Sequence, residues 1–194
     1  MPVLPSRAPL EPASAADRPA RVTLVLGGAR SGKSGFAETL AAAPGGRPVY
    51  LATAEPGDAE MAERIRRHRE RRGPGWATIE EPLDIVGRLA AADGAAVLVD
   101  CLTLWLANLM AAGLDVAAET ARLVEALSRR AGPVVLVANE VGFGIVPDNA
   151  LAREFRDHAG RLNQAVAAAA DRVYLVAAGL PLVLKDDSAT GPRP

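Results

Sequence analysis

Residues Gly27-Gly28-Ala29-Arg30-Ser31-Gly32-Lys33-Ser34 place glycine, lysine and serine at the spacing G-x-x-x-x-G-K-[ST], directly after the apolar run Val22–Leu26. Glycines at those positions let backbone N–H groups curl around a triphosphate. Lys33 can neutralise the β and γ oxygens, and the Ser34 hydroxyl can ligate Mg²⁺. The chain has 22 basic residues, of which only Lys33 and Lys185 are lysines. A lysine kept in the loop of so arginine-biased a chain marks a place that needs a compact ammonium. The segment predicts a nucleotide-phosphate site.

A second segment, Asp58–Arg72, starts acidic and ends basic, which suits the dipole of a helix. Helical spacing puts Glu60, Arg64, His68 and Arg71 or Arg72 along one face, with Met61 and Ile65 marking an apolar stripe. Arg64, Arg66, Arg67, Arg69, Arg71 and Arg72 surround His68, one of only two histidines. Three chemistries fit: a solvated charged face, a nucleic-acid contact, or a nucleophilic histidine whose arginine neighbours hold phosphates. Neighbouring positive charge disfavours imidazolium and keeps such a ring nucleophilic near neutral pH. The absence of interleaved aromatic residues weighs against nucleic acid.

Two further strand ends carry polar residues. The run Ala95–Val99 leads into Asp100, where a carboxylate either helps position Mg²⁺ or caps the helix that follows. Thr53, Glu80 and Glu81 also fall at strand ends that can line the same cleft. The run Val134–Ala138 leads into Asn139-Glu140-Val141-Gly142-Phe143-Gly144-Ile145-Val146-Pro147-Asp148, a shaped loop. Asn139 does not read as the guanine-selecting asparagine of a signalling GTPase. The Lys and Asp expected one and three positions later are Glu140 and Gly142. His158 reads as an ordinary helix histidine.

The elements that must position these residues follow from apolar patterning. Short apolar runs at Val22–Leu26, Val49–Ala52, Ala95–Val99, Val134–Ala138 and Arg172–Val176 predict strands. Helices are expected over Lys33–Ala43, Ala59–Arg71, Leu83–Ala91, Leu102–Ala112, Ala117–Arg130 and Ala150–Ala170. Trp76–Glu80 reads as an edge strand and Leu182–Leu184 as a last one. Strands apolar on both faces, alternating with helices, predict an α/β fold: a P-loop, RecA-like domain with a mainly parallel sheet. The expected organisation is a disordered leader over 1–20, one domain over 21–188 and a flexible tail over 189–194. The apolar segment Leu102–Met110 around Trp105 suits either the core or an interface between copies.

With 194 residues, there is chain enough for one full core. A net charge of -1 gives no global field to attract nucleic acid or membranes, and a single cysteine, Cys101, excludes an internal disulfide. No apolar run approaches 18 residues and no signal peptide is present, so the expected compartment is the cytoplasm.

Several motifs in order make the chain resemble the bifunctional adenosylcobinamide kinase/adenosylcobinamide-phosphate guanylyltransferase family of cobalamin biosynthesis. They are Gly27–Ser34, Tyr50–Ala54, Glu60-Met61 with Arg64-Ile65 and His68-Arg69, then Trp76, Thr78 and Glu80, Asn139–Pro147, and Arg161–Gln164. The resemblance spans roughly Val22 to Lys185. It implies two reactions at one cleft, with ATP and GTP as substrates and Mg²⁺ as cofactor. A nucleoside triphosphate phosphorylates adenosylcobinamide; GTP then guanylylates a histidine, which passes GMP to the cobinamide phosphate. It implies His68 as nucleophile, Lys33 as a catalytic residue, and Ser34 with Asp100 at the metal. Nucleotide contacts are implied for Gly27–Ser34, Ala52, Thr53, Ala54, Arg69, Glu70, Arg71, Arg72, Glu80 and Asp100. It also implies a homo-oligomer, often a trimer, that binds neither nucleic acid nor membrane. The alternatives are a single-activity small-molecule kinase and a RecA-like ATPase acting on nucleic acid or a protein partner.

Overall fold

The computed structural model describes residues 20–42, 46–55, 57, 63, 66, 70 and 73–187. The expected leader (save Ala20) and tail, and most of the basic segment with His68, lie outside the described residues.

Seven strands form one sheet in the order β3-β2-β4-β5-β1-β6-β7. They are β1 (Val22–Gly27), β2 (Val49–Ala52), β3 (Ala77–Glu80), β4 (Val97–Asp100), β5 (Val134–Asn139), β6 (Arg172–Ala177) and β7 (Leu180–Asp186). All pairings are parallel except β6 with β7. The helices are α1 (Lys33–Ala42), α2 (Ile85–Ala91), α3 (Leu102–Ala111), α4 (Val116–Arg129) and α5 (Ala150–Ala169). Among the described residues none is long and apolar enough to cross a membrane.

The central strands are apolar at both parities because both faces of the sheet are covered. Leu24, Leu26, Val97, Val99 and Leu136 pack with residues of α2 to α5, including Trp105, Leu123 and Leu162. The intervening Val25, Leu98, Val135 and Val137 pack with Ala37 and Ala41 of α1. This alternation decides which strand-end side chains face the loop that precedes α1.

Helix starts follow local capping chemistry. The Asp84 carboxylate accepts from Gly87 N at 3.0 Å, Asp115 from Ala117 N at 2.9 Å, and Asn149 from Ala152 N at 2.7 Å. Each satisfies an otherwise orphaned donor of the first turn. At the other end of α2 the buried Arg130 takes over, its Nη2 donating to the carbonyls of Ala92 (2.8 Å) and Ala95 (2.6 Å). Trp105 is fully buried, with Nε1 donating to Leu83 O at 2.8 Å. With Leu102, Leu106 and Leu109 also buried, this face of α3 is core, which closes the interface alternative for those residues. Exposed apolar side chains lie instead on β7, at Leu180, Leu182, Val183 and Leu184, and in the loop after β5, at Phe143, Ile145 and Val146.

Candidate active site

The loop between β1 and α1 is held from three sides. Ser31 N donates to Gly28 O at 3.3 Å, and Phe36 N to Gly32 O at 3.1 Å. Across the sheet, Gly179 N in the β6–β7 turn donates to Ser31 O at 2.8 Å. Lys33, only 7% exposed, folds back so that Nζ donates to Gly28 O at 3.2 Å. The ammonium is thereby carried over the turn of the loop, at the N-terminal end of α1, where backbone donors and the helix dipole favour an anion.

Two glycines are demanded by geometry. A Cβ on Gly27 would lie 2.6 Å from both Ser31 Oγ and Val176 O. Gly32 has φ +96°, and a Cβ there would press on Gly179 Cα at 3.2 Å. Gly28, Ala29 and Arg30 crest the loop, exposed, and Ser34 is half-buried in the first turn of α1.

Strand register brings the other residues to the same edge. Ala52 pairs with Asp100 on one side and with Glu80 on the other, while Gly27 pairs with Asn139. Asp100 follows Leu98 by two residues and shares its α1-side face, the face of the phosphate loop. Its Oδ2 accepts from the Tyr50 hydroxyl at 3.0 Å. The capping alternative does not apply, because the N-cap of α3 is Cys101. Glu80 is exposed and Ala52 and Ala54 are half-buried along this edge.

Thr53 lies behind this edge. It is 0% exposed. Its hydroxyl accepts from Cys101 N at 2.9 Å and donates to Cys101 O at 2.8 Å. Its own N donates to Asp100 O at 3.2 Å, and its carbonyl accepts from Asn108 Nδ2 at 2.8 Å. Every polar atom of Thr53 is therefore spent on fixing the β4–α3 junction, and Thr53 positions Asp100 rather than offering its side chain to a nucleotide. Thr53→Val, of similar shape, strands the buried Cys101 N–H and is expected to cost about 1–3 kcal/mol of stability in urea unfolding. Thr53→Ser should unfold close to wild type.

Glu81 likewise belongs to the scaffold. Its carboxylate accepts from Asp84 N (3.0 Å), Leu83 N (3.2 Å) and Arg88 Nε (3.1 Å). The Asp84 N–H bond is the main reason its pKa lies below the usual carboxylate range. Cys101 is buried, and burial together with the Asp100 charge pushes its thiol up to about 11. A thiol so placed stays protonated at pH 8, so native protein is expected to resist alkylation that proceeds once the chain is unfolded. Mass spectrometry with and without denaturant checks this.

Of the basic segment, Glu63, Arg66 and Glu70 are described, and all three are helical. Arg66 donates to Glu63 through Nε and Nη2, both at 2.7 Å, and pairs with Glu70 through Nη1. The Glu63 and Glu70 bonds raise the Arg66 pKa. Glu70, expected at the nucleotide, is here engaged with its own helix. His68, Arg69, Arg71 and Arg72, with Arg64 and Arg67, lie outside the described residues. His158 sits on α5 with Nε2 3.8 Å from Glu154 Oε1, as an ordinary helix histidine would.

Residues distant in sequence, whose contacts the motifs do not reveal, support this edge from behind. Asn139 N donates to Thr103 Oγ1 at 2.7 Å, and Asn139 O accepts from Asn163 Nδ2 at 3.2 Å. Asn163 belongs to the motif Arg161–Gln164 and is a polar residue on an otherwise apolar face of α5, beside the core residues Ala159, Leu162 and Val166.

A family model described as cobinamide kinase / cobinamide phosphate guanyltransferase matches residues 23–184. The bifunctional adenosylcobalamin biosynthesis protein CobP of Pseudomonas aeruginosa is 48% identical over 170 residues, covering 84% of this chain and 97% of that protein. The bifunctional adenosylcobalamin biosynthesis protein CobU of Salmonella typhimurium is 44% identical over 180 residues, covering 84% and 98%. Among solved structures, the flagellar accessory protein FlaH from Methanocaldococcus jannaschii aligns with TM-score 0.50 and 12% identity, covering 89% of this chain and 81% of that one. That last likeness concerns the fold alone, an α/β architecture.

Proposed function

The chain belongs to the cobinamide kinase / cobinamide phosphate guanyltransferase family, and we propose how its residues divide the work of the two reactions. It is a bifunctional transferase of adenosylcobalamin biosynthesis: it phosphorylates adenosylcobinamide, then transfers GMP from GTP to the adenosylcobinamide phosphate. The observation that carries the assignment is the buried Lys33 ammonium bonded to the Gly28 carbonyl across the loop. Such a lysine is held ready for a polyphosphate before one arrives.

Phosphoryl transfer passes through a loose transition state whose main needs are positioning and charge neutralisation. Lys33 and the backbone N–H groups of Gly28–Ser34 supply both. The remaining donors suit a hard cation: the Ser34 hydroxyl and the Asp100 carboxylate are oxygen ligands, as Mg²⁺ requires. Among the described residues no cluster of three His, Cys, Asp or Glu side chains could hold a metal alone. Ser34 and Asp100 would hold the ion together with the phosphates of a bound nucleotide. When bound, it supplies charge neutralisation at the phosphates.

Attack at the α-phosphorus needs a stronger nucleophile than a bound hydroxyl, and His68 is assigned to it. A ring nitrogen forms the N–P bond, pyrophosphate leaves, and a phosphate oxygen of the phosphorylated cobinamide then displaces the histidine to take GMP. Arg67 and Arg69, which flank His68 in sequence, are assigned to attracting the phosphates. Ala52, Ala54 and Glu80, along the same sheet edge, are placed at the nucleotide. We assign the reactions to the cytoplasm and to an assembly of like chains, for which the exposed leucines of β7 provide an apolar face. The test supplies adenosylcobinamide with Mg²⁺ and either ATP or GTP. The corrinoid should gain one phosphate, and with GTP then a GMP unit with release of pyrophosphate. A product that stops at the phosphate would leave a single-activity kinase.

A further inference from the structure

Asn139 closes β5, the strand between the Gly27 strand and the Asp100 strand. Val135 and Val137 pack on the α1 side of the sheet, so Asn139, the next residue of that parity, projects to that same side. Leu98 leads to Asp100 and Val25 to Gly27 by the same alternation. The carboxamide thus shares a face and a sheet edge with Asp100 and with the loop carrying Lys33.

Its backbone needs nothing from its side chain. Thr103 accepts from the Asn139 N–H and Asn163 donates to the Asn139 carbonyl, at 2.7 and 3.2 Å. The strand end is fixed from behind by α3 and α5. Asn139 Oδ1 is nonetheless buried and has no hydrogen-bond donor among the described residues. A buried acceptor without a donor is a standing cost, and such groups in folded proteins usually signal a functional demand. Ser31 Oγ, beside Gly27 on the paired strand, is in the same condition.

An acceptor at a polyphosphate site does not serve the phosphates, which are acceptors themselves. It serves a hydroxyl. We infer that Asn139 Oδ1 accepts a hydrogen bond from the attacking hydroxyl of the corrinoid substrate and holds it in line with the γ-phosphorus of the triphosphate in the loop. This rests on the kinase reading above. In the step, the hydroxyl oxygen forms the new bond to the γ-phosphorus. The bond from that phosphorus to the β,γ-bridging oxygen breaks, and its electron pair leaves with the diphosphate. The hydroxyl proton ends on an oxygen of the transferred phosphoryl group. An amide is no base, so Asn139 contributes orientation alone, and a neutral acceptor avoids repelling the triphosphate.

The role is specific to one of the two reactions, since attack by a histidine on the α-phosphorus involves no acceptor hydroxyl. Full-length Asn139→Ala is compared with wild type in kinase turnover, nucleotide KM and self-labelling by α-labelled GTP. Asn139→Ala should lower kinase kcat by about 10²-fold, the scale of a misplaced reacting group, with nucleotide KM and self-labelling unchanged. The inference is overturned by an alanine variant that phosphorylates like wild type. Equal loss of self-labelling and phosphorylation overturns it too, by revealing a structural role. A wild-type chain that fails to phosphorylate cobinamide overturns the kinase reading itself, and the inference with it.

Discussion

Lys33→Ala is expected to lower phosphoryl transfer by about 10²–10³-fold, the usual cost of removing one preorganised charge from a transition state. Self-guanylylation should fall with it, because both reactions use a triphosphate seated in the same loop. The loss should appear chiefly in kcat, since developing charge on the migrating group is what the ammonium meets. Lys33→Arg should not restore activity. The position is 7% exposed, and a planar guanidinium does not reproduce a compact ammonium there. Folding should survive the alanine change, which removes the hydrogen bond to Gly28 O but leaves the packing of α1 on the sheet in place. Thermal melting beside steady-state kinetics separates the two effects.

His68→Ala is expected to divide the activities instead. Covalent labelling by GTP should drop to background, while phosphorylation of adenosylcobinamide continues at close to the wild-type rate. The reason is chemical. A phosphoryl group leaving through a loose transition state requires no protein nucleophile, whereas a two-step displacement at the α-phosphorus has no first step without one. Product analysis by mass should find the cobinamide phosphate accumulating unguanylylated.

The sheet was legible because its strands are interior to a parallel array. Val22–Gly27 and Val134–Asn139 carry apolar residues on both faces, a pattern that few other elements share. Element ends were less legible. Apolar periodicity starts the second described helix at Leu83, but its cap is Asp84 and the helix begins at Ile85. Asp115 likewise starts α4 at Val116 rather than Ala117. The strand expected from Ala95 begins at Val97, because Ala95 N is bonded back to Ala92 O in the turn after α2. Leu182–Leu184 proved the centre of a longer strand, Leu180–Asp186, which pairs antiparallel with β6.

The site divides in the same way. Contiguous residues that act through their backbone, Gly27 to Ser34, are readable from spacing. Residues that act through partners distant in sequence are not. Thr53 bonds Cys101 and Asn108, and Asn163 bonds Asn139. Only the fold reveals that these side chains brace the strand ends. Trp105 belongs to the same class, since its apolar surroundings suit a core and an interface equally until Leu83 O is found at its indole nitrogen.

The central claim is that one loop seats a triphosphate whose γ-phosphoryl group goes to a hydroxyl and whose α-phosphorus is captured by His68. Parallel incubations with GTP labelled at the α or the γ position, followed by denaturation and peptide mapping, test it most directly. The account predicts an acid-labile, base-stable adduct from the α label alone, carried by the peptide containing His68 and absent from His68→Ala. An adduct from the γ label, label on another residue, or an unlabelled wild-type protein would contradict it.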